Sequence, residues 1–178
     1  MVWGVVKDHR GFIDVHSREG RGTTFFLYFP AILEEVDTRD IAVSIEDCRG
    51  RGESVLVVDD EGQQRELASG ILTELGYKVQ TLPSGEEALK YLSTTQVDVV
   101  VLDMIMDPGM DGLETYRKIL AHHPCQKAII VSGFSGEGRV AQARALGAGT
   151  YVSKPYLMDR LGVAVRQELD RDIGNSSL

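Results

Sequence analysis

The sequence predicts an α/β domain in which a doubly wound, five-stranded parallel sheet is flanked by five helices, after a small N-terminal helix and hairpin. From Ser54 onward, short apolar runs alternate with amphipathic stretches, which is the pattern of repeated βα units. The apolar runs are nearly continuous in Val, Ile and Leu, as is typical of parallel strands covered by helices on both faces. Capping residues, Ser84 and Asp111, also precede glutamates at two predicted helix starts.

The strands and helices of this domain are predicted in alternation. The predicted strands comprise residues 55–60, 77–82, 97–103, 127–132 and 150–153. The predicted helices comprise residues 63–76, 84–93, 111–123, 138–147 and 156–171. In the first of these helices, the spacing of Leu67, Ile71 and Leu75 predicts the face that is buried. We expect the domain to span residues 54–172, followed by a tail at 173–178.

The first thirty residues are predicted to form a separate unit. Residues 2–8 favour a short helix, and residues 12–17 and 23–30 favour two strands joined by a glycine-containing turn. Fewer than about 40 residues rarely form a stable domain on their own, so residues 1–30 are expected to belong to a larger unit.

Residues 31–53 are predicted to be an acidic linker. They contain seven acidic residues against three arginines. A solvated connector is favoured over a functional acidic patch, because charge runs of this kind are usually exposed.

The composition excludes several classes of function. The 178-residue chain has a formal net charge of −8, so we expect no general electrostatic binding to nucleic acid. No apolar run approaches the roughly 18 residues of a membrane span, and we expect no membrane contact. Cys48 and Cys125 are too few for a disulfide framework and lack metal-ligand spacing, which favours reduced thiols in a cytoplasmic protein.

Polar residues occur at the carboxyl ends of four predicted strands, where ligands bind in open α/β sheets. They are Asp59 and Asp60, Asp103, Ser132, and Lys154. Carboxylates brought together repel one another unless a cation joins them, and an all-oxygen set favours Mg²⁺. A hydroxyl and an ammonium group beside the metal would hold an anion, which indicates a phosphoryl-transfer site.

Taken singly, each of these residues has an ordinary structural explanation. Asp59 and Asp60 could cap a helix, Asp103 could be a loop aspartate, Ser132 a strand-end hydroxyl and Lys154 a surface lysine. The functional interpretation is favoured because all of them fall at strand ends on one edge of the predicted sheet.

The motifs containing these residues resemble the receiver domain of two-component response regulators, which has a flavodoxin-like fold. The resemblance covers residues 54–172 and is carried by VLVVDDE, VVVLDMIMDPGMDG, IIVSG and GAGTYVSKPY. It implies that Asp103 is the phosphoacceptor and attacks a phosphohistidine as a nucleophile. Asp60 and Asp103 would then bind Mg²⁺ directly, Asp59 would act mostly through water, and the carbonyl of Ile105 would complete the protein ligands.

The resemblance also assigns roles to the last two strands. Lys154 would pair with a phosphoryl oxygen, and Ser132 would donate a hydrogen bond to another. Tyr151 matches the family's switch aromatic, although an ordinary strand tyrosine is the alternative. The peptide bond after Lys154 is commonly cis in this family.

Two features of the sequence depart from the family pattern. The loop after the phosphoacceptor has one extra residue and one extra acid, Asp107, which is expected to face solvent rather than the metal. Ile105 and Phe134 are apolar at positions two residues beyond Asp103 and Ser132. We hypothesise that they hinder attacking water and prolong the phosphorylated state.

The first thirty residues resemble the end of a histidine-kinase ATP-binding domain, in which a late Gly-x-Gly-Thr box precedes the closing strand. Gly20, Gly22 and Thr23 match that box, but the earlier motifs and the phosphorylated-histidine motif are absent. The resemblance implies a hybrid histidine kinase as the parent protein and no ATP binding by this fragment. We expect the hairpin to be disordered or buried on a neighbour, for example in a homodimer.

The favoured function is therefore that of a phosphoacceptor signalling domain. It would receive a phosphoryl group from a phosphohistidine-bearing kinase or phosphotransfer domain, and it would act as an enzyme only on its own phosphorylation and dephosphorylation. Because no output domain follows, direct DNA binding is not expected. The alternatives are a Mg²⁺-dependent phosphatase with an aspartate nucleophile, which would need an acid where Ile105 stands, and a pseudo-receiver that only binds.

Overall fold

The computed structural model describes residues 2–30, 45–133, 137–155 and 157–172, which form two compact units divided between Ala42 and Val43. The proposed contribution of Phe134 and the tail after Asp172 lie outside the described residues. Within the described residues, no helix is long and apolar enough to cross a membrane.

The first unit is a helix followed by an antiparallel hairpin, as predicted. Its elements are α1 (Val2–Asp8), β1 (Phe12–Arg18) and β2 (Gly22–Tyr28). Val6 is buried, but most of the apolar side chains of the hairpin are exposed: Phe12, Val15, Phe25, Phe26, Leu27 and Tyr28. This exposure is what the small size of the unit leads us to expect, since the hairpin has too few neighbours to cover it.

The second unit contains the predicted five-stranded parallel sheet with five helices. The strands are β3 (Ser54–Val58), β4 (Lys78–Leu82), β5 (Val99–Asp103), β6 (Lys127–Ser132) and β7 (Tyr151–Ser153). The helices are α2 (Gly62–Glu74), α3 (Gly85–Leu92), α4 (Gly112–His122), α5 (Glu137–Ala145) and α6 (Met158–Asp170). The strand order is β4-β3-β5-β6-β7, and every pairing is parallel.

Strand β5 lies at the centre of the sheet and is buried along its whole length. Val99 and Val101 belong to the core formed with α2 and α6, whereas Val100 and Leu102 belong to the core formed with α3, α4 and α5. The continuous apolar run is therefore explained by burial on both faces of the strand. It holds Asp103, the last residue of the strand, at a fixed position on the edge of the sheet.

The buried face of α2 differs from the prediction. Ile71 and Leu75 are buried, but Leu67 is 45% exposed and Ala68 and Leu72 complete the face instead. With 3.6 residues per turn, each step of four residues rotates about 40° around the helix, so a run spaced only by four drifts off the buried stripe. The predicted caps are confirmed: Ser84 and Asp111 each accept a hydrogen bond from a backbone N–H three residues later.

The predicted boundary at residue 53 also differs from the structure, because the end of the acidic segment belongs to the second unit. A single 3-10 turn, Ile45–Cys48, places Cys48 in the core beneath α6, where Cys48 is 2% exposed. The Tyr77 hydroxyl donates to the Cys48 carbonyl, and Glu53 pairs with Arg166 of α6 at 2.6 Å. Cys48 and Glu53 therefore attach residues 45–53 to the second unit, although Glu46, Asp47, Arg49, Arg51 and Gly52 are exposed. Residues 31–44 lie outside the described residues.

Candidate functional site

Two neighbouring strands bring three aspartates together at the carboxyl edge of the sheet. Val58 of β3 pairs with Leu102 of β5, so the residues that follow them lie side by side. One carboxylate oxygen from each of Asp59, Asp60 and Asp103 lies within 4.8 Å of the other two. Asp59 and Asp103 are buried, with 2% and 4% exposure, whereas Asp60 is exposed. The sequence prediction that these acids meet is thus matched by the geometry.

Lys154 reaches the same point from the end of β7. Its ammonium group donates to Oδ2 of Asp59 at 2.5 Å and to Oδ2 of Asp103 at 2.8 Å. Its backbone N–H donates to the carbonyl of Ser132, and the Lys154–Pro155 peptide bond is cis. The single ammonium therefore compensates only part of the charge of the two buried carboxylates.

The ionisation of this cluster reflects its burial. Burial raises the pKa of the Asp103 carboxyl above its ordinary value; the hydrogen bond and charge of Lys154 oppose this rise, and the charge of Asp59 adds to it. Burial alone would lower the pKa of the Lys154 ammonium, but the hydrogen bonds and charges of Asp103 and Asp59 raise it. The Lys154 ammonium thus stays protonated, but it does not fully compensate the negative charge of ionised Asp103.

The loop after β5 is tied to the acidic cluster and to α3. The backbone N–H of Ile105 donates to Asp103 at 3.3 Å, and that of Asp107 donates to Asp60 at 3.3 Å. The N–H of Met110 donates to the Glu86 carboxylate in the first turn of α3, at 2.9 Å. Asp107 is exposed and is not among the clustered acids. The extra residue therefore contacts the site through its backbone N–H and not through its carboxylate.

Ser132 is the last residue of β6, and Tyr151 is the first residue of β7, which pairs with β6 at the edge of the sheet. Ser132 is fully buried, and its hydroxyl has no hydrogen-bond partner among the described residues. A buried hydroxyl without a partner is costly, and it is available to a ligand. The Tyr151 hydroxyl donates to the Ser132 carbonyl at 3.1 Å, and Tyr151 is 36% exposed.

Close packing of α4 fixes the backbone of Asp103. A Cβ at Gly112, the first residue of α4, would lie 2.0 Å from the carbonyl oxygen of Asp103 and 2.6 Å from Cε of Met104. A side chain at this position therefore cannot be accommodated without moving the helix or the strand end.

We expect Gly112→Ala to lower the free energy of unfolding by about 1–3 kcal/mol, because it overpacks this contact. Chemical denaturation would measure the change. Gly70→Ala is the matched control: a Cβ at Gly70 in α2 would have nothing within 4 Å, so this substitution should be neutral or mildly stabilising. Equal stability of the two variants would contradict the prediction.

Two residues that contact the site were not predicted from the sequence. Arg65 donates from Nη1 to the backbone carbonyl of Asp59 at 2.7 Å, and Glu86 holds the loop through Met110. Arg65 follows the acidic pair by only a few residues. Its contact could not be predicted, because every residue has a backbone carbonyl and no particular partner residue type marks such a contact in the sequence. Glu86 lies in the first turn of α3, where an acidic residue is already explained by helix capping, so its contact with the loop was not anticipated. The carbonyl ligand predicted at Ile105 stays a prediction.

Comparisons with known proteins agree with this geometry. The sequence profile described as "Response regulator receiver domain" matches residues 55–166. The crystal structure of the receiver domain of NtrX from Brucella abortus has a TM-score of 0.62 and 30% sequence identity, covering 65% of this chain and 97% of that one.

Two curated relatives differ in how much of the chain they match. Sporulation initiation phosphotransferase F from Bacillus subtilis is 30% identical over 117 residues, covering 66% of this chain and 94% of that protein. Sensor kinase CckA from Brucella abortus is 32% identical over 180 residues, covering 96% of this chain. The chain spans only 19% of that sensor kinase, so it corresponds to a small part of it.

Proposed function

This chain belongs to the response regulator receiver domain family, whose members accept phosphoryl groups in two-component signalling, and on that premise we propose that Asp103 is its phosphoacceptor. The observation that carries this proposal is the position of Asp103. It is a buried carboxylate at the end of the central strand, hydrogen-bonded to a lysine ammonium and clustered with two further aspartates.

The proposed reaction is transfer from a phosphohistidine. A carboxylate oxygen of Asp103 attacks phosphorus, a P–O bond forms as the P–N bond to the donor imidazole breaks, and the imidazole leaves with the bonding electron pair. Oδ2 of Asp103 is hydrogen-bonded to Lys154, whereas Oδ1 accepts, from the described residues, a single 3.3 Å contact from the N–H of Ile105. We therefore assign the attack to Oδ1.

The residues present fit a bound Mg²⁺. The three clustered carboxylates supply hard oxygen donors, and the buried charge on Asp103 is only partly compensated by Lys154. We propose Asp60, Asp103 and the Ile105 carbonyl as direct ligands, with Asp59 acting mostly through water. When bound, Mg²⁺ supplies positive charge that offsets the phosphoryl oxygens.

A phosphoryl group on Asp103 would change the contacts of Lys154, Ser132 and Tyr151. Lys154 would pair with a phosphoryl oxygen after leaving Asp59, and the partnerless hydroxyl of Ser132 would donate to a second oxygen. Tyr151, which contacts the Ser132 carbonyl, is the proposed switch because movement of Ser132 would disturb that hydrogen bond.

The test is incubation of the chain with acetyl phosphate and Mg²⁺, followed by intact-mass measurement. A receiver gains one phosphoryl group and stops. A phosphatase with an aspartate nucleophile would instead hydrolyse the donor continuously, and a pseudo-receiver would leave it unchanged. Either of these results would reject the proposal.

The parent protein and the partner form a second part of the proposal. The alignment with the sensor kinase covers 96% of the chain, which supports residues 1–30 as the end of an ATP-binding domain and a hybrid histidine kinase as the parent. The donor would be a phosphohistidine on that kinase or on a phosphotransfer domain, and the transfer would occur in the cytoplasm. Homodimerisation through the exposed hairpin stays a prediction.

We expect Ile105→Asn to shorten the lifetime of the phosphorylated chain by about tenfold, because an amide could orient water that the apolar side chain keeps away. Ile105 is partly buried and its N–H contacts Asp103. Phosphate release after removal of the donor would measure the lifetime. Leu67→Asn, the same kind of change on the exposed side of α2, is the control. An unchanged lifetime in Ile105→Asn would reject the hypothesis.

A further inference from the structure

The turn between β3 and α2 lacks the side-chain cap that commonly fixes a strand-to-helix connection. The residue before α2 is Glu61, whose side chain makes no capping hydrogen bond, and the first turn contains no acidic residue. This turn nevertheless carries Asp60, whose exposed carboxylate must be held in place if it is to bind a metal ion together with the buried Asp103.

Arg65 fixes this turn from inside the helix. Its guanidinium extends back beside Gly62, where Nη2 would lie 3.7 Å from a Cβ, and its Nη1 donates to the carbonyl oxygen of Asp59 at 2.7 Å. The other polar groups of Asp59 are also engaged. Its N–H donates to the Leu82 carbonyl, and its carboxylate binds Lys154 and the N–H of Glu61.

The Asp59 carbonyl is the group that sets the direction of Asp60. The C=O of Asp59 and the N–H of Asp60 belong to one planar peptide unit, so a hydrogen bond that orients the carbonyl also orients the start of the next residue. An arginine donor is suited to this task because its charge strengthens the hydrogen bond to the carbonyl.

We propose that Arg65 is a positioning residue for Mg²⁺, which acts through the Asp59–Asp60 peptide and does not touch the ion. This inference rests on the proposed function, since it assigns Mg²⁺ to the acidic cluster. Removal of Arg65 would change the affinity for Mg²⁺ in two opposite ways. Loss of a positive charge near the acids would tighten Mg²⁺ binding, whereas loss of the fixed peptide would weaken it.

The experiment is calorimetric titration of the 178-residue chain with MgCl₂ alone. We expect Arg65→Ala to weaken Mg²⁺ binding by about tenfold, the effect of losing one hydrogen bond to a charged group. Arg65→Lys, which keeps the charge but not the planar fork, should weaken binding by about threefold. Arg117→Ala, which removes an exposed guanidinium on α4, should leave the affinity unchanged.

Unchanged or tighter binding in Arg65→Ala would overturn the proposal, because charge alone would then account for the result. If Arg65→Ala does not fold, as judged by its thermal transition in EDTA, Arg65→Lys decides, and an unchanged affinity in that variant overturns the proposal. Wild-type chain that binds Mg²⁺ without being phosphorylated would reject the proposed function but leave Arg65 testable. Wild-type chain that binds no Mg²⁺ would overturn both.

Discussion

Replacement of Asp103 by asparagine is expected to reduce phosphorylation by at least about 100-fold while making the metal-free chain more stable. The first effect follows because an amide is not a nucleophile toward phosphorus, and loss of the attacking group removes the reaction rather than slowing it. Acetyl phosphate with Mg²⁺, followed by intact-mass measurement, would check it. Asp172→Asn, at an exposed acid far along the chain, is the matched control.

The stability effect has a defined dependence on pH. Burial raises the pKa of Asp103 in the folded state, so the folded chain binds this proton more tightly than the unfolded chain does. The stabilisation that results is present below the unfolded pKa and is lost as the pH rises through the folded pKa. Asparagine cannot lose a proton, so the advantage of the variant should grow from acidic to neutral pH.

Thermal unfolding in EDTA across that pH range would measure this difference. A thermal midpoint of Asp103→Asn at or below that of the wild type at neutral pH would show that Lys154 fully compensates the buried charge, contrary to our expectation. Phosphorylation that persists in the variant would place the phosphoacceptor elsewhere, and peptide mapping would then test the neighbouring acids Asp59 and Asp60.

The position of Asp103 could be predicted from the sequence because it depends on local pattern and chain topology alone. A nearly continuous apolar strand is expected to be covered on both faces, and the carboxyl ends of parallel strands meet at one edge. Asp59 and Asp60 follow the same argument from β3, and the apolar strand register brings them beside Asp103. Lys154 and Ser132 were located in the same way.

The parts that could not be predicted depend on side-chain reach or on distant partners. Residues 45–53 look like a solvated acidic segment, yet Glu53 is paired with Arg166, 113 residues later, and Cys48 is buried in the same core as α6. Arg65 binds a backbone carbonyl, an acceptor that every residue offers. Leu67 was assigned to the core because its spacing is helical, but the buried stripe is centred on neighbouring positions.

Replacement of Lys154 by methionine is expected to lower the free energy of unfolding of the metal-free chain by about 3 kcal/mol or more. The ammonium lies between Asp59 and Asp103, whose side chains are only 3% and 6% exposed. Without it, two buried carboxylates face each other with no cation, and breaking a buried pair from one side has a cost of this order. Chemical denaturation in EDTA would measure the loss.

Addition of Mg²⁺ should reverse this destabilisation, because a bound cation would replace the ammonium between the carboxylates. The increase in stability on adding Mg²⁺ should therefore be larger in Lys154→Met than in the wild type. Lys118→Met is the control: its pair with Glu114 is about half exposed on both sides, so its loss should cost less than about 1 kcal/mol and be insensitive to Mg²⁺.

The double variant with Asp103→Asn separates this explanation from a general packing defect. If Lys154 acts by compensating charge, removing one carboxylate as well should make its loss less costly, and the two substitutions will not be additive. Additive effects, or equal Mg²⁺ responses in Lys154→Met and the wild type, would mean that the lysine stabilises the domain in another way. The buried cluster would then not be held together by charge.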